Sequence, residues 1–337
     1  MLKIVLFLSI VTTTFALHPS QIQCFGVIGD SISAGFSMES HNIVKDFYEY
    51  RGQAFSVGGK EGFTTLPNIF RKFYNVSLDN SCASFATTFI SHSIEQYHHH
   101  LLFQLDSHQK MGIIKGVNCN VAISGALSTQ NIQMWNQLQE QWKTFNCQDK
   151  WKLLTIMIGA NDICEYCVNG YNNTIDTYIF NMEQLFRNIN EQSDKLFINV
   201  VSTFDVSLTE DYQHEDCKIF HWLINECPCI LGRNKQTDAK YVVKKLYKEI
   251  NEQLYKLVDK YNQKETIQYV IQPILENFQI YNQSYLSSLD CFHPSQFANE
   301  IMGISLWNNM FLPPEQKMKD MPYKLPIYIP NSEDILQ

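Results

Sequence analysis

Long apolar runs are scarce in this chain of 337 residues. The one at the N-terminus holds roughly ten apolar residues, too few to cross a bilayer in comfort. No other segment reaches spanning length, and the tail from Asn331 to Gln337 is polar, so no lipid-anchor signal is expected at the C-terminus. Basic charge is also in short supply: 26 Lys and Arg stand against 34 Asp and Glu, a net of −8. A balance of that sign argues against a nucleic-acid partner and against a basic membrane patch. Internal repeats and low-complexity linkers are missing, so nothing in the sequence reads as an array of modules.

The N-terminus itself reads as an export signal. Residues 2–16 carry one Lys, the apolar run, and small or polar residues ending at Ala16. Its removal takes away Lys3, moves the net charge from −8 to −9 and leaves 321 residues. We read these residues, 17–337, as one domain of a soluble, exported protein. An apolar content of 45% supplies an ordinary globular core. All ten cysteines follow Ala16, and an even count in an exported chain means up to five disulfides. Cys164-Glu165-Tyr166-Cys167 and Cys227-Pro228-Cys229 belong to that framework rather than to a redox pair or a metal corner, since no second CxxC lies at zinc-ribbon spacing. Spacing does not give the pairing; Cys164 with Cys167 is the local candidate. Sequons at Asn75, Asn172 and Asn282 agree with an exported glycoprotein.

Apolar runs bounded by turn residues predict five strands: Cys24–Ile28, Asn120–Ile123, Lys152–Ile158, Leu196–Val201 and Thr266–Ile271. Helices are expected over 130–142, 175–189 and 236–261, after Pro294 with Phe297, Ile301 and Ile304 on one side, and within 81–105. The triplet His98-His99-His100 in that last stretch reads as a solvated face, because adjacent helical residues point apart. The segment 33–63, rich in Gly and polar residues, reads as irregular loop flanking the site, whereas 203–232 is too irregular to assign and reads as a disulfide-held insertion. Strands alternating with helices predict an α/β fold with a doubly wound, mainly parallel sheet.

Polar groups collect where such sheets place their chemistry, at carboxyl ends of strands. Ser31 closes Gly29-Asp30-Ser31 after the first strand, Gly125 follows the second, Asn161 the third, and Asp290 and His293 precede the last helix. A hydroxyl is a poor nucleophile until a base takes its proton, and imidazole suits that role near neutral pH. His293 is the candidate base for Ser31, with Asp290 folding back to fix its tautomer. Backbone N–H groups of Ser31 and Gly125, with the Asn161 amide, are candidate donors to an oxyanion. The lipase elbow G-x-S-x-G is absent around Ser31, which argues against the usual α/β-hydrolase plan.

These motifs resemble those of the SGNH, or GDSL-type, hydrolases. The matches are Gly-Asp-Ser at 29–31, Asn120-x-Ala122-x-x-Gly125-Ala126, Gly159-x-Asn161-Asp162 and Asp290-x-x-His293. Val57-Gly58-Gly59, Leu66-Pro67-Asn68-Ile69, Asn161-Asp162-Ile163-Cys164-x-x-Cys167 and Asp290-Cys291-Phe292-His293-Pro294-Ser295 resemble the phospholipase-B-like branch in particular. The resemblance implies a three-layer α/β/α fold of flavodoxin-like type and hydrolysis of lipid acyl esters by Ser31, His293 and Asp290. It implies an oxyanion hole from Ser31, Gly125 and Asn161, and neither metal nor cofactor. Some relatives carry repeated domains and a membrane anchor; neither is expected here. A short-chain or glycan acetyl esterase, and a catalytically silent binding protein, are the alternatives.

Overall fold

A computed structural model describes residues 16–39, 47–89, 118–262, 264–288 and 290–337. Most of the export signal and the triplet His98-His99-His100 fall outside these residues.

Four parallel strands make the central sheet: β1 (Ile22–Gly29), β4 (Trp151–Met157), β5 (Leu196–Val201) and β6 (Ile267–Gln272), hydrogen-bonded in that order. Their near-continuous burial explains why they read as apolar runs without alternation. A separate antiparallel ladder pairs β2 (Tyr48–Glu49) with β3 (Thr88–Phe89).

Helices cover both faces, giving three layers. On one side α3 (Asn131–Thr144) packs on β1, beside α6 (Tyr171–Gln192) and α8 (Ala239–Tyr261). The Trp142 indole donates to the carbonyl of Phe25 at 2.9 Å, and a Cβ at Gly26 would strike that ring at 2.9 Å. On the other side, Phe25 meets Phe70 of α2 (Leu66–Tyr74), which packs edge-on against Trp307 of α9 (Gln296–Asn309).

The expected strand at 120–123 is reduced to one parallel bridge between Asn120 and Val27, with Val27 N–H donating to Cys119 and Ile123 N–H to Gly29, both at 3.0 Å. The segment flanks β1 on the side away from β4, then turns away at Gly125, so β1 has neighbours reached in opposite directions. Its carboxyl end is the switch point of the sheet, where open α/β folds bind ligands.

Other expectations are corrected. The described part of 81–105, up to Phe89, holds a turn and β3 rather than helix, with Cys82 at a φ of +63° and joined to Cys119. The last helix, α9, starts at Gln296, two residues after Pro294, where the Ser295 side chain accepts from Ala298 N–H. The stretch 203–232 contains a 3-10 segment, Val206–Tyr212, and a helix, α7 (Glu215–Ile224). All ten cysteines are paired: 24–147, 82–119, 164–227, 167–229 and 217–291. Cys164 and Cys167 are therefore not partners. They lie in and after α4 (Ala160–Cys164), where both reach across to the 227–229 loop, so two parallel bridges hold that loop.

Candidate active site

Ser31 is the first residue of a single helical turn, α1 (Ser31–Ala34), set directly on the end of β1. Asp30 caps this turn, its carboxylate accepting from Ile32 N–H at 3.0 Å. The turn sits so close to β4 that a Cβ at Gly29 would lie 2.5 Å from the Met157 carbonyl. Glycine is required there by space, not by φ.

Asp290 and His293 sit in a tight loop whose flanks, 285–287 and 293–295, pair in antiparallel fashion. Ser287 N–H donates to His293 O at 2.8 Å and Ser295 N–H to Tyr285 O at 2.9 Å. Asp290 Oδ1 accepts from the N–H groups of Phe292 and His293, at 2.9 and 3.0 Å. Its Oδ2 lies 2.5 Å from His293 Nδ1, and His293 Nε2 lies 2.7 Å from Ser31 Oγ. The structure thus joins Ser31, His293 and Asp290 in one unbroken hydrogen-bond chain, almost entirely buried. Phe36 and Phe292 meet the imidazole edge-on, with centroids at 4.9 and 5.1 Å.

Burial alone would pull the His293 pKa down, but the Asp290 carboxylate outweighs it through charge and hydrogen bond, helped by Glu226 and Asp30. The imidazole is held above its ordinary 6.5. Burial likewise pushes on Asp290, and the His293 charge with its hydrogen bonds reverses that, holding the carboxyl below 3.8. Burial raises Asp30 to about 7 and Glu226 to about 7. It lowers His221, edge-on to Phe292 at 6.3 Å, to about 4, so this second imidazole stays neutral beside the pair.

Gly125 has a φ of +77°, a backbone setting that glycine adopts without strain, and a Cβ there would meet nothing within 4 Å. It is exposed and faces open space. Asn161, in the first turn of α4, donates through Nδ2 to the carbonyl of Ala126 at 3.0 Å. Asn161 is thereby tied to the residue after Gly125, and Ile123, two residues before it, donates to Gly29 at the end of β1.

Sequence reasoning missed the frame behind this loop. Arg51 donates through Nε and Nη2 to Glu49 Oε2 at 2.8 and 2.5 Å, and through Nη1 to the main-chain and side-chain oxygens of Asn120 at 2.8 and 3.1 Å. Asn120 Nδ2 donates to Ser33 O at 3.0 Å, and Ser124 Oγ to Glu49 Oε1 at 2.6 Å. This buried network ties α1 to the Gly125 loop. Its signal was a Glu and an Arg two positions apart in a stretch read only as loop. Asp162 is a buried anchor as well. Its carboxylate accepts from Ser128 N–H and Oγ at 3.0 and 2.6 Å, and burial, partly offset by those bonds, raises it to about 6.

Among the described residues, one group has metal-ligand proximity, His214 with Cys217 and Cys291. The two sulfurs are bonded to each other, so they are not available as thiolate ligands.

The chain has clear relatives. It is 26% identical over 344 residues to "Phospholipase B1, membrane-associated" of Mus musculus, 28% over 346 residues to that of Rattus norvegicus, and 27% over 327 residues to that of Homo sapiens. Between 92% and 96% of this chain is matched, against only 20–22% of each relative, so the chain spans about a fifth of their length. The family model for GDSL-like lipase/acylhydrolase matches residues 25–306, from β1 into α9. With a serine at the end of β1 bonded to a buried His–Asp pair before the last helix, and that match over most of its length, the chain belongs to the GDSL-like lipase/acylhydrolase family, the carboxylic ester hydrolases.

Proposed function

We propose that this chain is a secreted serine esterase that hydrolyses acyl esters of phospholipids or lysophospholipids. The observation that carries the reading is the chain of bonds from Asp290 through His293 to Ser31. Ser31 Oγ attacks the acyl carbonyl while His293 Nε2 takes its proton, and Asp290 holds Nδ1–H and stabilises the imidazolium. The tetrahedral oxyanion is met by the N–H groups of Ser31 and Gly125 and by the second amide hydrogen of Asn161, the first being bonded to Ala126. Collapse expels the alcohol, which receives the proton from His293, and leaves an acyl-enzyme. Water then repeats the sequence with His293 as base and releases the fatty acid. No metal enters these steps.

The lipid substrate is supported by the family match and by the relatives, which are phospholipases by name. Export under an N-terminal signal, residues 1–16, is supported by five disulfides. Glycosylation is supported by the exposure of Asn75, Asn172 and Asn282.

The test is incubation of the mature chain with phosphatidylcholine and lysophosphatidylcholine, with products resolved by mass. Release of free fatty acid, together with labelling of Ser31 by a fluorophosphonate, is expected. Release of acetate alone, from acetylated sugars or short esters, would replace the lipid reading with that of an acetyl esterase.

A further inference from the structure

The helix α7 is built the wrong way round for a soluble surface. A surface helix turns polar residues to water. Here Ile219, Trp222 and Leu223, at spacings i, i+3 and i+4, form one stripe that is 58%, 60% and 43% exposed. The opposite stripe, Cys217, Phe220 and His221, is buried. Other exposed aromatics, such as Phe180 and Tyr241, lie on other helices, α6 and α8.

The buried stripe beneath it packs on the loop of the candidate active site, so the exposed stripe is the outer face of a helix anchored there. Cys217 is bonded to Cys291, two residues before His293, and the His221 ring lies edge-on to Phe292. A cation is fixed at its rim. The Arg233 guanidinium lies 5.4 Å from the Trp222 ring and donates to the carbonyls of Trp222 and Leu223 at 3.0 and 2.9 Å. An aromatic ring with a guanidinium at its edge is suited to the boundary between acyl chains and phosphates. The mature chain carries a net charge of −9 once residues 1–16 are removed, which disfavours an anionic lipid surface.

We propose that the outer stripe of α7, with Arg233 meeting lipid phosphates, seats the protein on a zwitterionic phospholipid surface and presents the Ser31 site to it. This rests on the lipid-ester reading above and adds the place where the lipid surface binds. A short apolar stripe of this kind lies in the interface plane without spanning the membrane.

The experiment uses the mature chain, vesicles of ether-linked phosphatidylcholine, which an esterase does not cleave, and a water-soluble butyrate ester. The triple variant Ile219→Ser, Trp222→Ser, Leu223→Ser is expected to lose at least tenfold in vesicle binding and in hydrolysis of diacyl phosphatidylcholine vesicles. Its turnover of the soluble butyrate should stay within twofold of the parent. Should the triple variant lose butyrate turnover through misfolding, Trp222→Ala alone carries the same comparison, with a smaller expected loss. Vesicle binding that survives in a folded variant would overturn the proposal. So would a dimer of the parent that the variant abolishes, since the stripe would then bind a second copy. A parent without turnover of any ester refutes the esterase reading instead, and the vesicle-binding comparison still decides this one.

Discussion

At the scale of single residues, the proposed chemistry rests on one proton path. Because His293 Nε2 faces Ser31 Oγ at 2.7 Å, Ser31 is the hydroxyl placed for activation. Ser31→Ala should abolish ester turnover and fluorophosphonate labelling, a loss of several orders of magnitude, with an unchanged melting temperature. Turnover that persists in this variant would remove Ser31 from the mechanism. The pH profile tests its partner. The base must be neutral, and Asp290 raises the pKa of His293, so the rate should rise with pH along a limb displaced to the alkaline side of 6.5. Asp290→Asn deletes the charge that raises it. The limb should then move to lower pH while the plateau falls steeply, because the imidazole is left in a poorer tautomer. A limb that stays in place would mean that Asp290 does not set the base. Ser31 and His293 were legible because such residues at strand ends have few other uses in combination. Glu49 and Arg51 were not, since their meaning lies in Asn120 and Ser124, some seventy positions away.

At the scale of elements, the site is a set of short turns held against the sheet. Asp30 caps α1 in a buried setting that raises its carboxyl from 3.8 to about 7. Its folded pKa lies above the unfolded one, so its contribution is fully present below 3.8 and is lost as pH rises through about 7. Asp30→Asn keeps the cap acceptor and removes the charge. The variant should be more stable than the parent at pH 8, by roughly 2–4 kcal/mol, and hold no such advantage at pH 4. Melting curves at the two pH values decide it, and an equal difference at both would show that burial of the charge is not the cause. Asn161, in α4, has one amide hydrogen on Ala126, and the other is the one proposed to meet the oxyanion. Asn161→Ala should lower kcat by roughly 10²–10³ with KM nearly unchanged, since that charge exists only in the transition state. A lower Tm with near-normal kcat would instead make Asn161 the tie between α4 and the Gly125 loop and nothing more. Of the elements, α7 escaped sequence reading for a physical reason. Its apolar residues lie on both its buried and its exposed stripes, within an irregular cysteine-rich connection, so no single apolar face marks it. The 120–123 segment was over-read for the opposite reason: it is apolar like a strand, yet it makes a single bridge to β1 before Gly125 turns it away.

At the scale of the whole molecule, disulfides join segments that the sheet alone does not. Cys164–Cys227 and Cys167–Cys229 close nearly the same loop, with separations of 63 and 62 residues. In the chain-entropy account a loop of that size is worth about 4 kcal/mol. With one bridge left, the second closes only a few further residues, worth about 2 kcal/mol. Replacing one pair by serines should therefore cost about a third of what replacing both costs, and denaturant melts of the single and double variants test this. Equal, additive losses would show that the two bridges act on separate parts of the fold. The sequence by itself determined the strands of the parallel sheet and the long helices, and it singled out Ser31, Asp290 and His293, which the fold brings into one hydrogen-bond chain. Buried strands and amphipathic helices announce themselves through local burial, and the chemistry needs those residue types. Tertiary structure alone decided the cysteine partners, the Glu49–Arg51 frame and the outward stripe of α7. Each depends on which distant segments meet in space, or on which face meets water, and no local pattern encodes either.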